Sequence, residues 1–214
     1  MKYAVIIVAA GSGTRMKLGY NKVYARLQDG RTLLEHTMDV FMQDEDCTEL
    51  VIATDGTEYL HEITWRMPGR IVLVQGGSTR QGSVYNALLA VKEDTVFVHD
   101  GARPYLRADE LNLLKETMET EDAALLCVPC KDTVKRIENG YIKETYVRDT
   151  LRCAQTPQAF RTALLTECIE KAMAEGFIGT DDCSLVERFS DVPVRAVEGS
   201  YTNIKITTPE DLAK

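Results

Sequence analysis

The sequence has no long hydrophobic run and no excess of positive charge. No window approaches 18 consecutive apolar residues, which excludes a membrane-spanning helix. The formal net charge of −8 argues against a general affinity for nucleic acid or for an anionic membrane, so any phosphate site must be local. The N-terminal apolar run YAVIIV leads into glycines rather than a signal cleavage site, and we expect a cytoplasmic protein.

The sequence also lacks the cysteine pattern of a disulfide-bonded protein. Its six cysteines are scattered through a chain that is long enough to bury a core without cross-links, so we expect reduced thiols. Cys127 and Cys130 have the C-x-x-C spacing that also occurs in redox and zinc sites. No second C-x-x-C is present and no helix follows closely, so we interpret both as buried strand cysteines.

Apolar runs alternate with segments of helical periodicity. The runs YAVIIVA, ELVIAT, RIVLVQG, TVFVHD and AALLCVP are separated by LLEHTMDVFM, YLHEITWRM, SVYNALLAV and LNLLKETM. The pattern predicts one α/β domain over residues 1–214, with a mostly parallel twisted sheet, helices on both faces and ligands at the carboxyl ends of the strands. Nearer the C-terminus we expect helices over RTALLTECIEKAMAEG and DDCSLVERF, strands over VPVRAVEG and NIKIT, and a helix from Pro209.

The alternation breaks between residues 131 and 149, a segment that we call the arm. Its sequence predicts a polar β-hairpin with a turn at Glu138-Asn139-Gly140. A hairpin this charged cannot be a core element, and two strands alone are marginally stable in water. We therefore expect the arm either to fold onto its own subunit or to reach across to another.

The stretch AAGSGTRM follows the first predicted strand. Gly11 and Gly13 permit a tight turn whose backbone N–H groups approach a ligand oxygen. The loop is not a Walker A motif, and Met16 stands where a dinucleotide fingerprint has its third glycine. Arg15 and Lys22 add two cations, which favours a polyphosphate over a structural turn.

The stretch HDGARP ends the fourth predicted strand. Asp100 at the carboxyl end of a strand is suited to holding a hard divalent cation, although an Asp that caps the next turn is the alternative. Arg103 fits either a phosphate contact or a loop anchor. A single His at a strand end is usually hydrogen-bonded scaffold, so we leave His99 out of the chemistry.

Two further stretches complete the set. In QGGSTRQGS, Gly77 and Ser83 allow a flat base to approach the backbone, while Arg80 is suited to screening phosphate. In NIKIT, Lys205 lies among apolar residues and needs an anionic partner, unless it extends from an edge strand into solvent. The four places supply cations, backbone donors and one carboxylate, without an evident nucleophile and base pair. This set fits in-line attack of an ionised phosphate oxygen on the α-phosphorus of a nucleotide, which needs no general base.

The ordered motifs AAGSGTRM, HDGARP, VPCKDTVKR, TPQAF, GTDDCSLVE and VEGSYTNIKITTPEDL resemble those of the bacterial 2-C-methyl-D-erythritol 4-phosphate cytidylyltransferases. The resemblance covers essentially the whole chain. It implies a Rossmann-like nucleotidyltransferase that transfers CMP from CTP to 2-C-methyl-D-erythritol 4-phosphate with Mg²⁺, releasing pyrophosphate, in the non-mevalonate isoprenoid pathway. It also implies a homodimer in which the arm is exchanged between subunits.

The resemblance carries over to particular residues. Arg15, Lys22 and Lys205 match the cations that act on the triphosphate, and Asp100 matches a magnesium and substrate contact. Thr133 and Arg148, which lie on the arm and flank its hairpin, match residues that recognise the sugar phosphate. Residues that match the family's CTP contacts are Ala9, Ala10, Gly11, Gly77, Ser83 and Gly101.

Several positions depart from the family pattern. Asn21 replaces a common Pro before Lys22, which leads us to expect a looser lysine, and Ser78 and Thr79 replace common acidic residues. Gly101 replaces Ala, which backbone contacts should tolerate, and the sequence ends at Lys214 inside a helix that relatives continue. Two alternatives stay open: a ribitol 5-phosphate cytidylyltransferase, and a nucleotide-binding module that has lost catalysis. Retention of the four charged residues Arg15, Lys22, Asp100 and Lys205 weighs against the module.

Overall fold

The computed structural model describes residues 1–11, 20–56, 69–208 and 210–211. Its strands and helices, in chain order, are β1 Tyr3–Val8, α1 Leu33–Gln43, β2 Cys47–Thr54, β3 Ile71–Gln75, α2 Arg80–Leu88, β4 Thr95–Asp100, α3 Ala108–Thr117, β5 Ala123–Pro129, β6 Lys135–Glu138, β7 Tyr141–Thr145, β8 Arg152–Arg161, α4 Thr162–Ala174, α5 Cys183–Phe189 and β9 Arg195–Glu198. The predicted helix YLHEITWRM lies outside the described residues, as do Gly13 and Arg15 of the glycine loop. Crossing a bilayer needs a helix longer and more apolar than any in the described part of the chain.

The main sheet has seven strands in the order β3-β2-β1-β4-β8-β5-β9. Strand β1 pairs in parallel with β2 and β4, and the β2–β3 and β5–β9 pairs are also parallel. Strand β8 runs antiparallel to both of its neighbours, β4 and β5. The predicted mostly parallel α/β sheet is thus confirmed, with one reversed strand in its interior.

Side chains of β1 alternate between two apolar layers, one on each face of the sheet. Tyr3, Val5 and Ile7 pack in the cluster that contains the apolar faces of α1 and α3. Ala4 and Ile6 pack in the other cluster, with α2, α4 and α5. A strand covered on both faces must be apolar at every position, which explains the uninterrupted run YAVIIV and confirms helices on both faces.

The arm contains the predicted hairpin. Strands β6 and β7 pair antiparallel as a separate sheet, and all of their residues are exposed. Asn139 and Gly140 have φ values of 51° and 82°, the left-handed conformation that a two-residue hairpin turn requires. The arm therefore protrudes from the domain and has no place in its core.

The strand predicted over NIKIT is wrong. These residues carry no strand assignment in the structure. The Ile206 N–H donates to the Ala102 carbonyl at 2.8 Å, and Asn203 and Ile206 are fully buried. The segment is an extended coil held under the end of β4. The helix predicted from Pro209 begins outside the described residues.

Strand β8 is an element that our sequence reading did not predict. Proline has no N–H for a sheet ladder, so Pro157 disfavours a central strand. Strand β8 accommodates Pro157 where its pairing with β5 shifts register, between Leu125 and Cys127. The strand brings Thr156 and Gln158 beneath the end of β4, where both support the site.

The interpretation of the C-x-x-C pair is right for Cys127 and wrong for Cys130. Cys127 is buried in β5, whereas Cys130 follows the end of β5 and is only half-buried. The Cys130 Sγ lies 3.2 Å from the Sγ of Cys153 at the start of β8. All six cysteines are free thiols.

Candidate active site

The carboxyl ends of β1 and β4 lie side by side and fix the loops that follow them. Val8 is paired with Asp100 at the last position of the ladder. The Ala9 N–H donates to the Ala53 carbonyl at 2.8 Å, and the Gly101 N–H donates to the Val8 carbonyl at 3.0 Å. The first residues of both loops are therefore held by continued strand pairing, which sets where the loops open into solvent.

A cleft of about 530 Å³ opens at this edge of the sheet. Its lining joins the glycine loop, the start of α2, the end of β4 and the segment around Lys205. The lining residues are Val8, Ala10, Gly11, Asn21, Lys22, Val23, Asp55, Gly77, Ser78, Thr79, Arg80, Ser83, Asp100, Gly101, Ala102, Lys205 and Thr207. The structure thus brings together eight of the predicted nucleotide-binding or catalytic residues besides Asp100, namely Ala10, Gly11, Lys22, Gly77, Arg80, Ser83, Gly101 and Lys205. Ala9 lies behind the lining and is 1% exposed.

The turn before α2 is closed around Gly77. The Gly77 N–H donates to the Ser83 hydroxyl at 3.0 Å, and that hydroxyl donates to the Thr79 carbonyl at 3.0 Å. A Cβ at Gly77 would lie 2.6 Å from the carbonyl carbon of Gly82, so glycine is required by close approach. Thr79 caps α2 by accepting from the Gly82 N–H at 2.9 Å. Thr79 therefore has a helix-capping role.

Asn21 fixes Lys22 at the mouth of the cleft. The Asn21 side chain accepts from the Val23 N–H at 3.2 Å and donates to the Ala9 carbonyl. The Lys22 Nζ donates to the Ile206 carbonyl at 2.5 Å. The looser lysine that we expected from Asn21 is therefore wrong: the amide links the short helical turn of Lys22 to the end of β1.

Asp100 is surrounded by three cations. Its Oδ2 lies 2.8 Å from the Lys205 Nζ and 3.7 Å from the Arg103 Nε, and its Oδ1 lies 3.4 Å from the Arg80 Nε. Burial alone would raise the pKa of Asp100, but Arg80 and Lys205 outweigh it and hold that pKa well below its usual value. Asp100 therefore keeps its negative charge throughout the neutral range.

Arg80 is held from both sides. Its Nη2 lies 2.7 Å from the Oδ2 of Asp182, which is buried and which sequence reasoning missed. Gln158 holds the loop of Asp182 by accepting from the Asp182 N–H at 3.1 Å and from the Cys183 N–H at 3.0 Å. The motifs TPQAF and GTDDCSLVE contained the signal, but their contact depends on the unpredicted strand β8.

A second cleft, of about 330 Å³, is also lined by Asp100. It shares three charged residues with the first cleft, Arg80, Asp100 and Lys205. The other lining residues are Arg103, Ala154, Gln155, Thr156, Gln158, Thr180 and Asp181. The two clefts therefore meet at the Asp100 charge cluster, which suits a transfer between two phosphorylated ligands.

His99 and Thr156 support Asp100 from below. The Asp100 N–H donates to the Thr156 hydroxyl at 3.0 Å, and that hydroxyl lies 3.0 Å from the His99 Nδ1. The His99 Nε2 lies 3.1 Å from the Arg103 carbonyl, which can only accept, so Nε2 carries the proton and Nδ1 accepts from Thr156. Burial lowers the pKa of His99 to about 4, so it is neutral at neutral pH. A buried, neutral and hydrogen-bonded His99 fits the scaffold role that we expected from the sequence.

The predicted sugar-phosphate residues Thr133 and Arg148 lie on the arm and are exposed. The Arg148 Nη1 donates to the Lys131 carbonyl at 3.2 Å. Neither residue belongs to the linings of the two clefts, which within the described residues are formed by the main domain. One chain thus does not bring the arm residues to the Asp100 cluster. Arg103 is part of the second cleft and is anchored by the Asn203 carbonyl, which accepts from its Nη1 at 2.7 Å.

A glycine loop at a strand end, facing a carboxylate among cations in a mostly parallel sheet, defines an α/β nucleotidyltransferase. The family model of 2-C-methyl-D-erythritol 4-phosphate cytidylyltransferase matches residues 3–214. The chain belongs to this family, which confirms the predicted enzyme class and the predicted transfer of a cytidylyl group to 2-C-methyl-D-erythritol 4-phosphate.

Individual relatives agree with the family match. The enzyme of that name from Bacillus velezensis is 46% identical over 217 residues, which cover 99% of this chain and 93% of the relative. The one from Geobacillus kaustophilus is 42% identical and covers 99% and 94%. Among crystal structures, the Anaerococcus prevotii 4-diphosphocytidyl-2C-methyl-D-erythritol synthase has a TM-score of 0.88 at 33% identity, covering 99% of this chain and 95% of that one. The Francisella tularensis enzyme has a TM-score of 0.85 at 33% identity, with coverage of 100% and 97%.

Proposed function

We propose that the larger cleft binds CTP, that the smaller one binds 2-C-methyl-D-erythritol 4-phosphate, and that CMP is transferred across the Asp100 cluster with release of pyrophosphate. The observation that carries the proposal is that Arg80, Asp100 and Lys205 line both clefts. An attacking phosphate oxygen and the α-phosphorus must meet in line, and a shared wall of charged residues is where two such ligands approach each other.

In this proposal the larger cleft holds the nucleotide through its backbone. Gly11 and Ala10 supply the loop that turns around the triphosphate, and Gly77, Ser83 and Gly101 supply the surfaces for the base and ribose. The missing side chain of Gly77 lets a ligand approach the turn before α2. Ala9, behind the lining, acts by fixing the start of the loop, and Gly13 and Arg15 remain predictions.

Lys22 and Lys205 act as the cations that stabilise charge on the triphosphate as it develops. Both line the larger cleft, and the Lys22 Nζ contacts the carbonyl of Ile206, the residue that follows Lys205. The Lys22 contact is with a carbonyl oxygen and the Lys205 contact is with Asp100, so a phosphate oxygen can join or replace either contact with little movement. Arg15 is expected to contribute a third cation. The phosphate of the second substrate needs no general base because it is already ionised.

The site is suited to a Mg²⁺ ion that is bound mainly by substrate. Mg²⁺ is usually held by one or two protein carboxylates together with phosphate oxygens and water. Asp100 supplies one ionised carboxylate, and no cluster of three or more metal-binding side chains occurs among the described residues. Asp100 would hold the ion, which would neutralise phosphate charge. The protein's own cations position the triphosphate beside it.

The arm supports a homodimer in which each site is completed by Thr133 and Arg148 of the partner subunit. Within one chain the arm exposes four large apolar side chains, Ile137, Tyr141, Ile142 and Val147, at 66–79% of their surface. Burying them against a second subunit would stabilise the arm. Exchange of the arm between subunits would also explain why Thr133 and Arg148 do not line the clefts of their own chain. The cytoplasmic location remains a prediction.

The proposal is tested by pyrophosphate release with CTP and Mg²⁺, with methylerythritol 4-phosphate and ribitol 5-phosphate offered in parallel. UTP and ATP in place of CTP are the controls for the base. We expect release with CTP and methylerythritol 4-phosphate only. Release with ribitol 5-phosphate alone would keep the mechanism and overturn the substrate. Binding of CTP without release from either would favour the non-catalytic module.

A further inference from the structure

Two thiols face each other at the base of the arm. Cys130 follows β5 and leads into the arm, and Cys153 lies in β8 just after the arm returns. Their Sγ atoms are 3.2 Å apart. A disulfide needs about 2.05 Å between the sulfurs, so a movement of about 1 Å separates the contact from a bond.

The backbone on both sides of the pair is already fixed. Tyr201 donates its hydroxyl to the Pro129 carbonyl at 2.7 Å, and the Lys131 Nζ lies 3.6 Å from the centre of the Tyr201 ring. Both neighbours of Cys130 are thus held by one aromatic side chain. Cys153 is held by the ladder opposite Val128. The contact between the two thiols is therefore fixed by the backbone contacts of the segments that carry them.

These two thiols are also the accessible ones. Cys47, Cys127, Cys168 and Cys183 are buried, whereas Cys130 is half-buried and Cys153 is exposed. Burial raises the pKa of Cys47 to about 11 and also raises the pKa of Cys183 well above its usual value. The pKa of Cys153 is raised mainly because its thiol hydrogen-bonds to Cys130. Both thiols of the pair can be reached by a small disulfide from solvent, and the four buried thiols cannot.

We propose that Cys130 and Cys153 form a reversible disulfide by exchange with a low-molecular-weight disulfide such as oxidised glutathione. One thiol of the pair loses its proton to solvent, and its thiolate attacks one sulfur of that disulfide and displaces the first small thiolate. The other thiol then loses its proton, and its thiolate attacks the protein sulfur of the mixed disulfide and displaces the second small thiolate. The protein pair loses two electrons and two protons, and one small disulfide becomes two small thiols.

The bond would join the two ends of the arm. Residues 131–152 would become a closed loop that contains Thr133 and Arg148, so the disulfide would restrict how the arm moves relative to the sheet. A contact between accessible thiols in a protein expected in a reducing compartment favours a transient bond over a permanent one. The inference goes beyond the proposed function, and its test does not depend on activity.

The test is to equilibrate the full-length protein with mixtures of reduced and oxidised glutathione and to follow intact mass, free-thiol content and peptide maps. We expect the loss of two hydrogens, the loss of two free thiols and a cross-linked peptide pair that contains Cys130 and Cys153, all reversed by added reduced glutathione. Hydrogen–deuterium exchange of the backbone amides of residues 131–152 should be slower in the oxidised protein than in the reduced protein.

Single variants test whether both thiols are needed. Cys130→Ser and Cys153→Ser should each lose the cross-link and accumulate a glutathione adduct on the cysteine that remains of the pair. Cys127→Ala, at the other end of the C-x-x-C pair, is the matched control and should cross-link like the parent protein. The proposal is overturned if the parent protein gives only glutathione adducts, no modification, or a Cys130–Cys153 bond between two subunits.

Discussion

The Lys205 Nζ lies 2.8 Å from the Asp100 Oδ2, although the two residues belong to distant parts of the sequence. The contact ties the extended segment around Ile206 to the end of β4. It places an ammonium group on the wall between the two clefts. The carboxylate thus organises the cations of the site as much as it offers oxygen ligands of its own.

Replacement of Asp100 by Asn should reduce both activity and stability. The variant leaves Arg80, Arg103 and Lys205 close together without the carboxylate, and breaking such a partly buried cluster costs about 3 kcal/mol of the free energy of unfolding. We expect kcat to fall by about 10²-fold or more because the cations lose their anchor and the proposed Mg²⁺ site loses its carboxylate. Urea unfolding and pyrophosphate release measure the two effects. Asp109→Asn, which removes an exposed partner of Arg107, should change neither.

Replacement of Gly77 by Ala should distort the turn before α2. The new Cβ would meet the backbone of Gly82 and Ser83 at 2.6–2.9 Å, and backbone cannot yield as a flexible side chain does. We expect a loss of about 2 kcal/mol in unfolding free energy and a raised KM for CTP. Gly82→Ala is the matched control, since its Cβ would lie 3.3 Å from the Thr79 hydroxyl at the nearest and alanine favours the helix. Equal stability of the two variants would contradict the role of close approach.

The buried His99 should make the free energy of unfolding depend on pH. Its pKa is about 4 in the folded protein and about 6.5 when unfolded, so the unfolded chain binds the extra proton between these values. The free energy of unfolding should therefore fall by about 3 kcal/mol as the pH drops from 6.5 to 4. Chemical unfolding across this range measures it. His99→Gln removes the titrating group, so its stability should depend less on pH, and parallel curves for the two proteins would exclude His99 as the source.

Much of the fold followed from periodicity in the sequence. Every position of YAVIIV is apolar because both faces of β1 are covered, and this is the pattern that sequence reasoning detects most readily. The arm was found for the opposite reason, since its polar strands and the Asn139-Gly140 turn have no place in a core. Strand β8 was missed because a proline such as Pro157 disfavours a central strand. The register shift that accommodates Pro157 is visible only in the structure.

The site residues that sequence reasoning missed were also missed because of strand β8. Gly77, Lys22 and Asp100 were found because each follows or precedes a recognisable strand or helix. Asp182 and Gln158 were not. Gln158 holds the loop that presents Asp182 to Arg80 only when β8 enters the sheet between β4 and β5. A contact between distant segments requires the strand order, and local patterns do not supply it.

Replacement of Arg148 by Ala should raise the KM for the sugar phosphate much more than the KM for CTP. Arg148 lies on the arm and is exposed, so its loss should leave the larger cleft and the fold intact. Loss of a charge-assisted contact to phosphate corresponds to about 10-fold to 10²-fold in KM. Arg136→Ala is the matched control, because Arg136 is an equally exposed arginine within the hairpin. An unchanged sugar-phosphate KM would remove Arg148 from substrate recognition.

Mixed dimers of a Lys22→Ala subunit and an Arg148→Ala subunit should regain activity at low sugar-phosphate concentration, where each variant alone should be nearly inactive. If each arm serves the opposite cleft, the cleft of the Arg148→Ala subunit combines its own Lys22 with the intact Arg148 of the partner subunit. The other cleft lacks both residues, so a mixed dimer should reach about half of the parent activity. The measurement is pyrophosphate release after subunits carrying different affinity tags are co-expressed and purified through both tags. Pairing Lys22→Ala with a double variant is the control and should restore nothing, since it provides no intact site. Absence of recovery in the mixed dimer itself would mean that each site is built within one chain.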